Sequence, residues 1–349
     1  MHRRDLMILL AGSATLAHAG TPPALQFPAD FGAHPASRAE WWYVTGQLQA
    51  GARLWGFQVT FFRSTTGLQA EPASRFAPTE LVFAHAALTD LEQKRLRHDQ
   101  RIARSGFGIA QADMADTNVV LRDWRLVRSA AVYRAVVASD SAGFALDLAI
   151  APTQPVLPQG EAGLSRKGPG PEHTSRYYSE PQLAVQGTLT QQGRPLAVTG
   201  RAWLDHEWSD AYLPPDAVGW DWIGMNLDDG SALTAFRLRR ADGSSVYAGG
   251  SLRRAGEAVR AFGPDEVVFT PGRMWQSAAS KARYPVRWTV TTPAGRHTVS
   301  ALLDDQELDS RGSTGAIYWE GLSELLAEDG QRVGRGYLEM TGYAAALRM

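Results

Sequence analysis

The chain has 349 residues, with 35 Lys+Arg against 36 Asp+Glu for a formal net charge of -1, and 44% of its residues are hydrophobic. That length exceeds the roughly 150-residue domain prior, so two domains are expected, and the composition excludes disordered, collagen-like and coiled-coil chains. The balanced charge excludes a dominant electrostatic grip on nucleic acid or anionic lipid; the absence of cysteine excludes disulfides, thiolate nucleophiles, Cys-ligated zinc and iron-sulfur clusters.

At the N-terminus, Arg3 and Arg4 precede an apolar run over residues 6–16, and Ala17-His18-Ala19 forms an A-x-A cleavage site before Gly20. Residues 1–19 are therefore expected to be a signal peptide, which places the mature chain in the periplasm or outside the cell. The paired arginines also permit the twin-arginine route. The run is shorter than the roughly 20 apolar residues of a membrane span, and no membrane span is expected after cleavage.

Past residue 39 the chain alternates apolar and polar residues in short runs cut by Gly, Pro, Asp and Asn, the pattern of antiparallel sheet, and helix signals are almost absent. Strands are predicted over 41–48, 54–63, 132–139, 143–150, 183–190, 196–208, 220–227, 232–239, 246–252, 266–269, 286–292, 297–303, 316–322 and 333–343. The pattern recurs at a spacing of 179 residues: Trp41 matches Trp220, Tyr43 matches Trp222, Gly51 matches Gly230, Phe57 matches Phe236 and Val59 matches Leu238. Two similar all-β domains follow, residues 20–208 and 219–349, each an up-and-down antiparallel barrel, with the break where Pro214-Pro215 interrupts any strand. The Pro-rich segment 151–171 is expected to be a long loop over one barrel mouth, with a ligand lid as the alternative.

The densest group of reactive side chains is Trp203-Leu204-Asp205-His206-Glu207-Trp208, followed by Trp220-Asp221-Trp222. Strand alternation puts Leu204, His206 and Trp208 on one face and Trp203, Asp205 and Glu207 on the other, while Asp221 points away from Trp220 and Trp222. Both groups fall at the domain seam, a preferred place for ligand pockets. A carboxyl among indole rings loses hydration and keeps its proton to higher pH, so it can act as a general acid, and the ring faces attract a developing cation. Those are the requirements for protonating an unactivated alkene and trapping the cation with water. The alternative is that Asp205, His206 and Glu207 form a hydrogen-bonded network tying the two barrels together. A metal site is not expected, because adjacent strand residues cannot all face one ion and no second histidine stands at ligand spacing nearby; His85 is the candidate to converge in space, but a lone strand histidine is more often a satisfied core residue. Glu40-Trp41-Trp42-Tyr43 forms a second aromatic cluster, barrel-closing or ligand-lining, and Arg176-Tyr177-Tyr178-Ser179 could orient a ligand. No Gly-x-Ser-x-Gly elbow or phosphate loop is present.

Five motifs occur in order: Glu40-Trp41-Trp42-Tyr43-Val44-Thr45-Gly46, Phe61-Phe62-Arg63, Ala84-His85-Ala86-Ala87-Leu88-Thr89-Asp90, Tyr177-Tyr178-Ser179 and Ala202-Trp203-Leu204-Asp205-His206-Glu207-Trp208. Together they resemble the AttH-like and carotenoid 1,2-hydratase (hydroxyneurosporene synthase) family, from about residue 35 to the C-terminus. The resemblance implies an all-β fold of two lipocalin-like antiparallel barrels packed side by side. In the hydratase branch it implies cofactor-free addition of water to the terminal double bond of an acyclic carotenoid, with an aspartate as acid. The family's His-x-Trp pair is matched by His206 and Trp208, and its aromatic-then-aspartate element by Trp220 and Asp221. Because this chain begins with an export signal, it looks more like the AttH-like branch.

The resulting expectation is an exported hydro-lyase acting without metal or cofactor on an isoprenoid or lipid-like alkene. Asp205 or Asp221 is the proton donor, with Glu207 in the same acid group and His206 orienting water. Trp208, Trp220 and Trp222 stabilise the cation, and Trp203, Tyr178, Trp42 and His85 line the substrate. The alternative is a non-catalytic periplasmic carrier of a hydrophobic ligand. A metal-dependent hydrolase trails both.

Overall fold

The structure is a computed structural model that describes residues 24–68 and 77–347. The expected signal peptide, residues 1–19, lies outside the described residues. Among these, the only helix is a single 3-10 turn at Ala29–Phe31, and no helix is long and apolar enough to cross a membrane.

The first sheet takes β1 (Ala39–Ala50), β2 (Arg53–Thr65), β3 (Glu80–Asp90), β4 (Arg95–Arg104), β5 (Ala110–Ala112), β6 (Asn118–Leu121), β7 (Trp124–Ser129), β8 (Val132–Ser139) and β9 (Phe144–Ala151). The short β10 (Leu157–Pro158) and β11 (Leu164–Arg166) and the long β12 (Thr174–Gln191) and β13 (Arg194–Ser209) complete it. Its order is β4-β3-β2-β1-β13-β12-β9-β8-β7-β6-β5. The ends curl towards each other: Arg101 of β4 lies over the Trp124 ring of β7 and donates to the Ala138 carbonyl of β8. The sheet is thus a nearly closed barrel around Trp42, Trp55, Phe57, Phe61, Trp124 and Tyr133. In β9 apolar side chains alternate strictly with more exposed ones, as a strand with one face inward requires.

The second sheet takes β14 (Gly219–Leu227), β15 (Ala232–Arg239), β16 (Ser245–Arg253), β17 (Arg260–Phe262) and β18 (Val268–Pro271). Between β18 and β21 (Arg287–Thr292), β19 (Met274–Gln276) and β20 (Arg283–Pro285) form a separate ribbon. The sheet continues with β22 (Gly295–Ala301), β23 (Glu307–Ser310), β24 (Ala316–Leu326) and β25 (Arg332–Met340), in the order β17-β16-β15-β14-β25-β24-β22-β21-β18. It wraps a second core around Tyr284, Trp288 and Trp319. All pairings are antiparallel.

The two units meet through the outer faces of β12, β13 and β1 to β3 and of β15, β14, β25 and β24. A third core fills this seam, with Leu157, Trp203, Trp222, Phe236, Leu322 and Tyr337. Strands at the seam are covered on both faces, which is why residues 202–209 of β13 are all buried, polar ones included. Close approach needs glycine here: a Cβ on Gly56 of β2 would meet the Tyr337 hydroxyl at 2.7 Å across the seam.

The 179-residue repeat holds for the first strand of each pair and fails for the second. Trp41 and Tyr43 face the seam, as do Trp220 and Trp222. But Val44 pairs with Val59 in the first hairpin, whereas Trp220 pairs with Leu238 in the second. The second hairpin turns three residues sooner, and an odd shift reverses every side chain. Phe57 and Val59 therefore fill the barrel, while their counterparts Phe236 and Leu238 belong to the seam. The 151–171 segment also departs from expectation. It lies along the seam, not over a barrel mouth: Gln159 bonds Ser179 and Ser251, and Arg253 of β16 bonds the carbonyls of Pro155 and Val156.

Candidate functional site

Pairing registers set polar residues in a row across the seam face of the first sheet: Ser179, Asp205, Tyr43, Thr60 and His85 are successive cross-strand partners. Facing them on the second sheet are Phe236, Trp222, Glu339 and Glu320, again successive partners. Between the rows lies a cavity of about 600 Å³, walled by Trp41, Tyr43, Phe62, His85, Lys167, Tyr177, Asp205, Glu207, Trp220, Trp222, Phe236, Tyr318 and Glu339.

Asp205 is 5% exposed. Its Oδ1 accepts from the Tyr177 hydroxyl at 2.9 Å, the Ser179 hydroxyl at 2.5 Å and the Trp203 indole at 2.8 Å, which leaves Oδ2 for the cavity. Burial pushes the carboxyl up to about 7, against those three hydrogen bonds, which favour the charged form. Glu207 accepts from Ser175 and meets the Lys167 ammonium at 2.8 Å. That ammonium also lies over the rings of Tyr177 and Phe236, so this corner is a paired charge among aromatics. Glu339 is half-buried at the cavity wall and is pushed up to about 8 by burial, with the nearby Asp205 and Glu207 carboxyls adding to the rise. Glu320 accepts from the Tyr43 hydroxyl at 2.7 Å, and its carboxyl is pushed well above the usual carboxylate range, first by burial and then by the neighbouring Glu339 carboxyl.

The sequence-predicted residues divide between three places. Asp205, Glu207, Trp220, Trp222 and His85 line the cavity, and Trp203 stands behind Asp205 as its indole donor. His206, Trp208, Trp42 and Tyr178 point the other way, into the first barrel, as alternation demands. There His206 Nε2 lies 2.8 Å from Glu40 and Nδ1 3.0 Å from the Tyr178 hydroxyl, with the Trp42 ring stacked on it. Both ring nitrogens are occupied, and the sheet separates them from the cavity. Asp221 points into the second core, fixed by Arg237 at 2.7 Å and the Tyr343 hydroxyl at 2.8 Å, with Arg239 at 3.7 Å. It does not wall the cavity. The Glu40 cluster splits by the same alternation, Glu40 and Trp42 inward and Trp41 and Tyr43 to the seam. In segment 176–179, Tyr177 and Ser179 are the groups that orient Asp205.

Glu339, Glu320, Tyr318 and Lys167 were not singled out from sequence. The available signal was a lone acid inside an apolar strand, as in Tyr337-Leu338-Glu339-Met340 and Tyr318-Trp319-Glu320, a pattern that costs free energy unless the acid is neutral or paired. Among the described residues, the nearest approach to a metal-ligand set is His34, Glu40 and His206 inside the first barrel, with donor atoms within 4.8 Å of one another. The histidine joining His206 is therefore His34, not His85. Glu40 Oε1 lies 2.8 Å from each imidazole, and Oε2 accepts from Arg63 at 2.9 Å. Burial alone would raise this carboxyl, but the bonds from His206 and His34 prevail and hold it far below its usual range. The three donors are committed to one another and to a guanidinium, which is the bonding of a structural network.

A solved structure of an AttH candidate from Nitrosomonas europaea is similar at 48% identity, with a TM-score of 0.86 over 92% of this chain and 98% of that one. Kievitone hydratase from Nectria haematococca shares the fold, with a TM-score of 0.71 at 16% identity over 93% of this chain and 94% of that one. No curated protein matches the chain. The AttH-like family model matches residues 18–343, nearly the whole length, and with the paired lipocalin-like sheets and the acid-lined seam it leads to one conclusion: this chain belongs to the AttH-like family.

Proposed function

We propose that the chain is a cofactor-free hydratase that adds water across a carbon-carbon double bond of an isoprenoid or lipid-like substrate held in the seam cavity. The observation that carries this reading is Asp205, a carboxyl still half-protonated at about pH 7 in a cavity walled by indole and phenol rings. Its Oδ2 proton adds to one alkene carbon, and the positive charge that appears on the other faces Trp220, Trp222 and Phe236. A water molecule adds to the cation, and the resulting oxonium returns a proton to the Asp205 carboxylate. One water is consumed, and nothing is oxidised or reduced. Glu339, neutral at the opposite wall, is placed to hydrogen-bond that water. The alternative donor from sequence, Asp221, is tied to two arginines outside the cavity, so the role falls to Asp205. His206 acts from inside the barrel as part of the scaffold. Kievitone hydratase bears its activity in its name on the same fold, which supports the reading without supplying a substrate. Export of the mature chain to the periplasm remains part of the proposal.

The second reading is a carrier of a hydrophobic ligand, favoured by the three hydrogen bonds on Asp205 Oδ1, which also suit a structural acid. Incubation with a panel of terpenoid and fatty-acyl alkenes in isotope-labelled water separates the two. The hydratase incorporates one labelled oxygen, and Asp205→Asn lowers the rate by about 10²- to 10⁴-fold. Saturable binding with no incorporation from any alkene assigns the carrier instead.

A further inference from the structure

One corner of the seam cavity holds a cation of the chain's own. The Lys167 ammonium lies 2.8 Å from the Glu207 carboxylate and over two rings, 4.8 Å from the centre of Tyr177 and 4.5 Å from that of Phe236. Rings and a carboxylate together replace the water that a buried ammonium gives up. All four residues wall the cavity.

Next to this corner the same materials recur without a basic side chain. The Trp222 indole donates to the Tyr177 hydroxyl at 3.3 Å, which itself donates to Asp205. The Trp220 indole is in hydrogen-bonding contact with Glu339. Trp41 stacks 6.5 Å from Trp220, and both keep ring surface exposed on strands that are otherwise mostly buried. Asp205 is 5% exposed, and all three of its hydrogen bonds fall on Oδ1, so Oδ2 faces the cavity with no partner among the described residues. Among those residues no salt bridge reaches Asp205 or Glu339, whereas Glu207 and Asp221, on the same pair of strands as Asp205 and Trp220, each have one.

We infer that the seam cavity binds an organic cation, an alkyl- or arylammonium ion whose charge is set against the Trp41, Trp220 and Trp222 rings and beside the Asp205 and Glu339 carboxyls. A cavity of about 600 Å³ suits a small molecule of that kind. The inference rests on the seam cavity being the ligand site of the proposed function, but on no turnover there. It goes beyond that reading, because a stable cation is bound where hydration passes only through a transient one.

Charge balance decides which groups answer such a ligand. Lys167 and Glu207 cancel each other. Burial pushes the Tyr43, Tyr177 and Tyr318 phenols well above their usual range and lowers His85 to about 3, so all four are neutral. The negative charge must come from Asp205, Glu339 or Glu320 behind them, whose protons burial holds above the ordinary carboxylate range. A bound cation displaces one of these protons, so its affinity rises with pH up to about 8. A neutral ligand shows no such rise.

The test is titration of the full-length protein with phenyltrimethylammonium and tert-butylbenzene, which share a shape and differ in charge, read by the fluorescence of the cavity tryptophans. The expected result at about pH 8 is the cation binding about tenfold tighter than the hydrocarbon. That preference shrinks at about pH 6 and falls to near parity in the Asp205→Asn, Glu339→Gln double variant. Equal or tighter binding of tert-butylbenzene by the wild type, a preference as large at pH 6 as at pH 8, a preference undiminished in the double variant, or no saturable binding of the cation overturns the inference. The wild-type comparison decides the matter even if the variant does not fold. Neither probe carries an alkene. A cation preference without alkene hydration in labelled water therefore removes the hydratase reading and keeps this one, whereas hydration without the preference does the reverse.

Discussion

Asp205 and Asp221 show how neighbours decide what a carboxyl can do. Each is a buried strand aspartate next to tryptophan, yet one meets only neutral donors and the other a pair of guanidinium groups. An acid that must deliver a proton works only while it holds one. The rate of a hydration catalysed by Asp205 therefore falls as pH rises through about 7, and Asp205→Asn removes that limb of the pH-rate profile along with the rate. Asp221→Asn has a different signature. It leaves the Arg237 and Arg239 charges in the second core without their counter-ion, so we expect a loss of about 3 to 5 kcal/mol in denaturant unfolding. Residual folded Asp221→Asn protein keeps the wild-type pH-rate midpoint; a shifted midpoint assigns Asp221 to the chemistry.

Strands, more than single residues, set which groups meet. The run Trp203 to Trp208 carries two functions at once because its alternate side chains serve two compartments, the seam and the barrel. That much was legible in the sequence: the two faces of β13 were separable from spacing alone, and so was the turn of Asp221 away from Trp220 and Trp222. What spacing could not supply was the partner across the seam. Glu339 lies far along the chain in a strand whose apolar pattern looks like ordinary core, and its role depends on which sheet it faces. The Phe57 and Phe236 match misled for a related reason, since a hairpin that turns three residues early keeps its sequence pattern while inverting its face. Gly224 of β14 is a third case: a Cβ there would lie 2.3 Å from the Trp222 ring and 3.2 Å from Trp203. Gly224→Val should cost about 1 to 3 kcal/mol through overpacking and push Trp222 into the cavity, weakening ligand binding more than Trp220→Phe does. Unchanged stability and binding in Gly224→Val contradicts the packing described for this wall.

At the scale of the molecule, the seam holds Asp205, Glu320 and Glu339 as neutral acids between two sheets that each have a core of their own. Their proton affinity is higher folded than unfolded, so the folded state binds more protons between about pH 4, the ordinary carboxylate range, and about pH 8. The associated stability is fully present at the acid end of that window and is lost as pH rises through the folded values. Thermal unfolding should accordingly shift to lower temperature between pH 6 and pH 9, and Glu339→Gln, neutral at every pH, should flatten the dependence; an unchanged slope in that variant removes Glu339 from the explanation. The protonation of Asp205 underlies the proposed chemistry, and infrared difference spectroscopy of wild type against Asp205→Asn reads it directly. The account predicts a protonated-carboxyl carbonyl band that is lost in Asp205→Asn and titrates with a midpoint near pH 7. A carboxylate already ionised at pH 5 contradicts it.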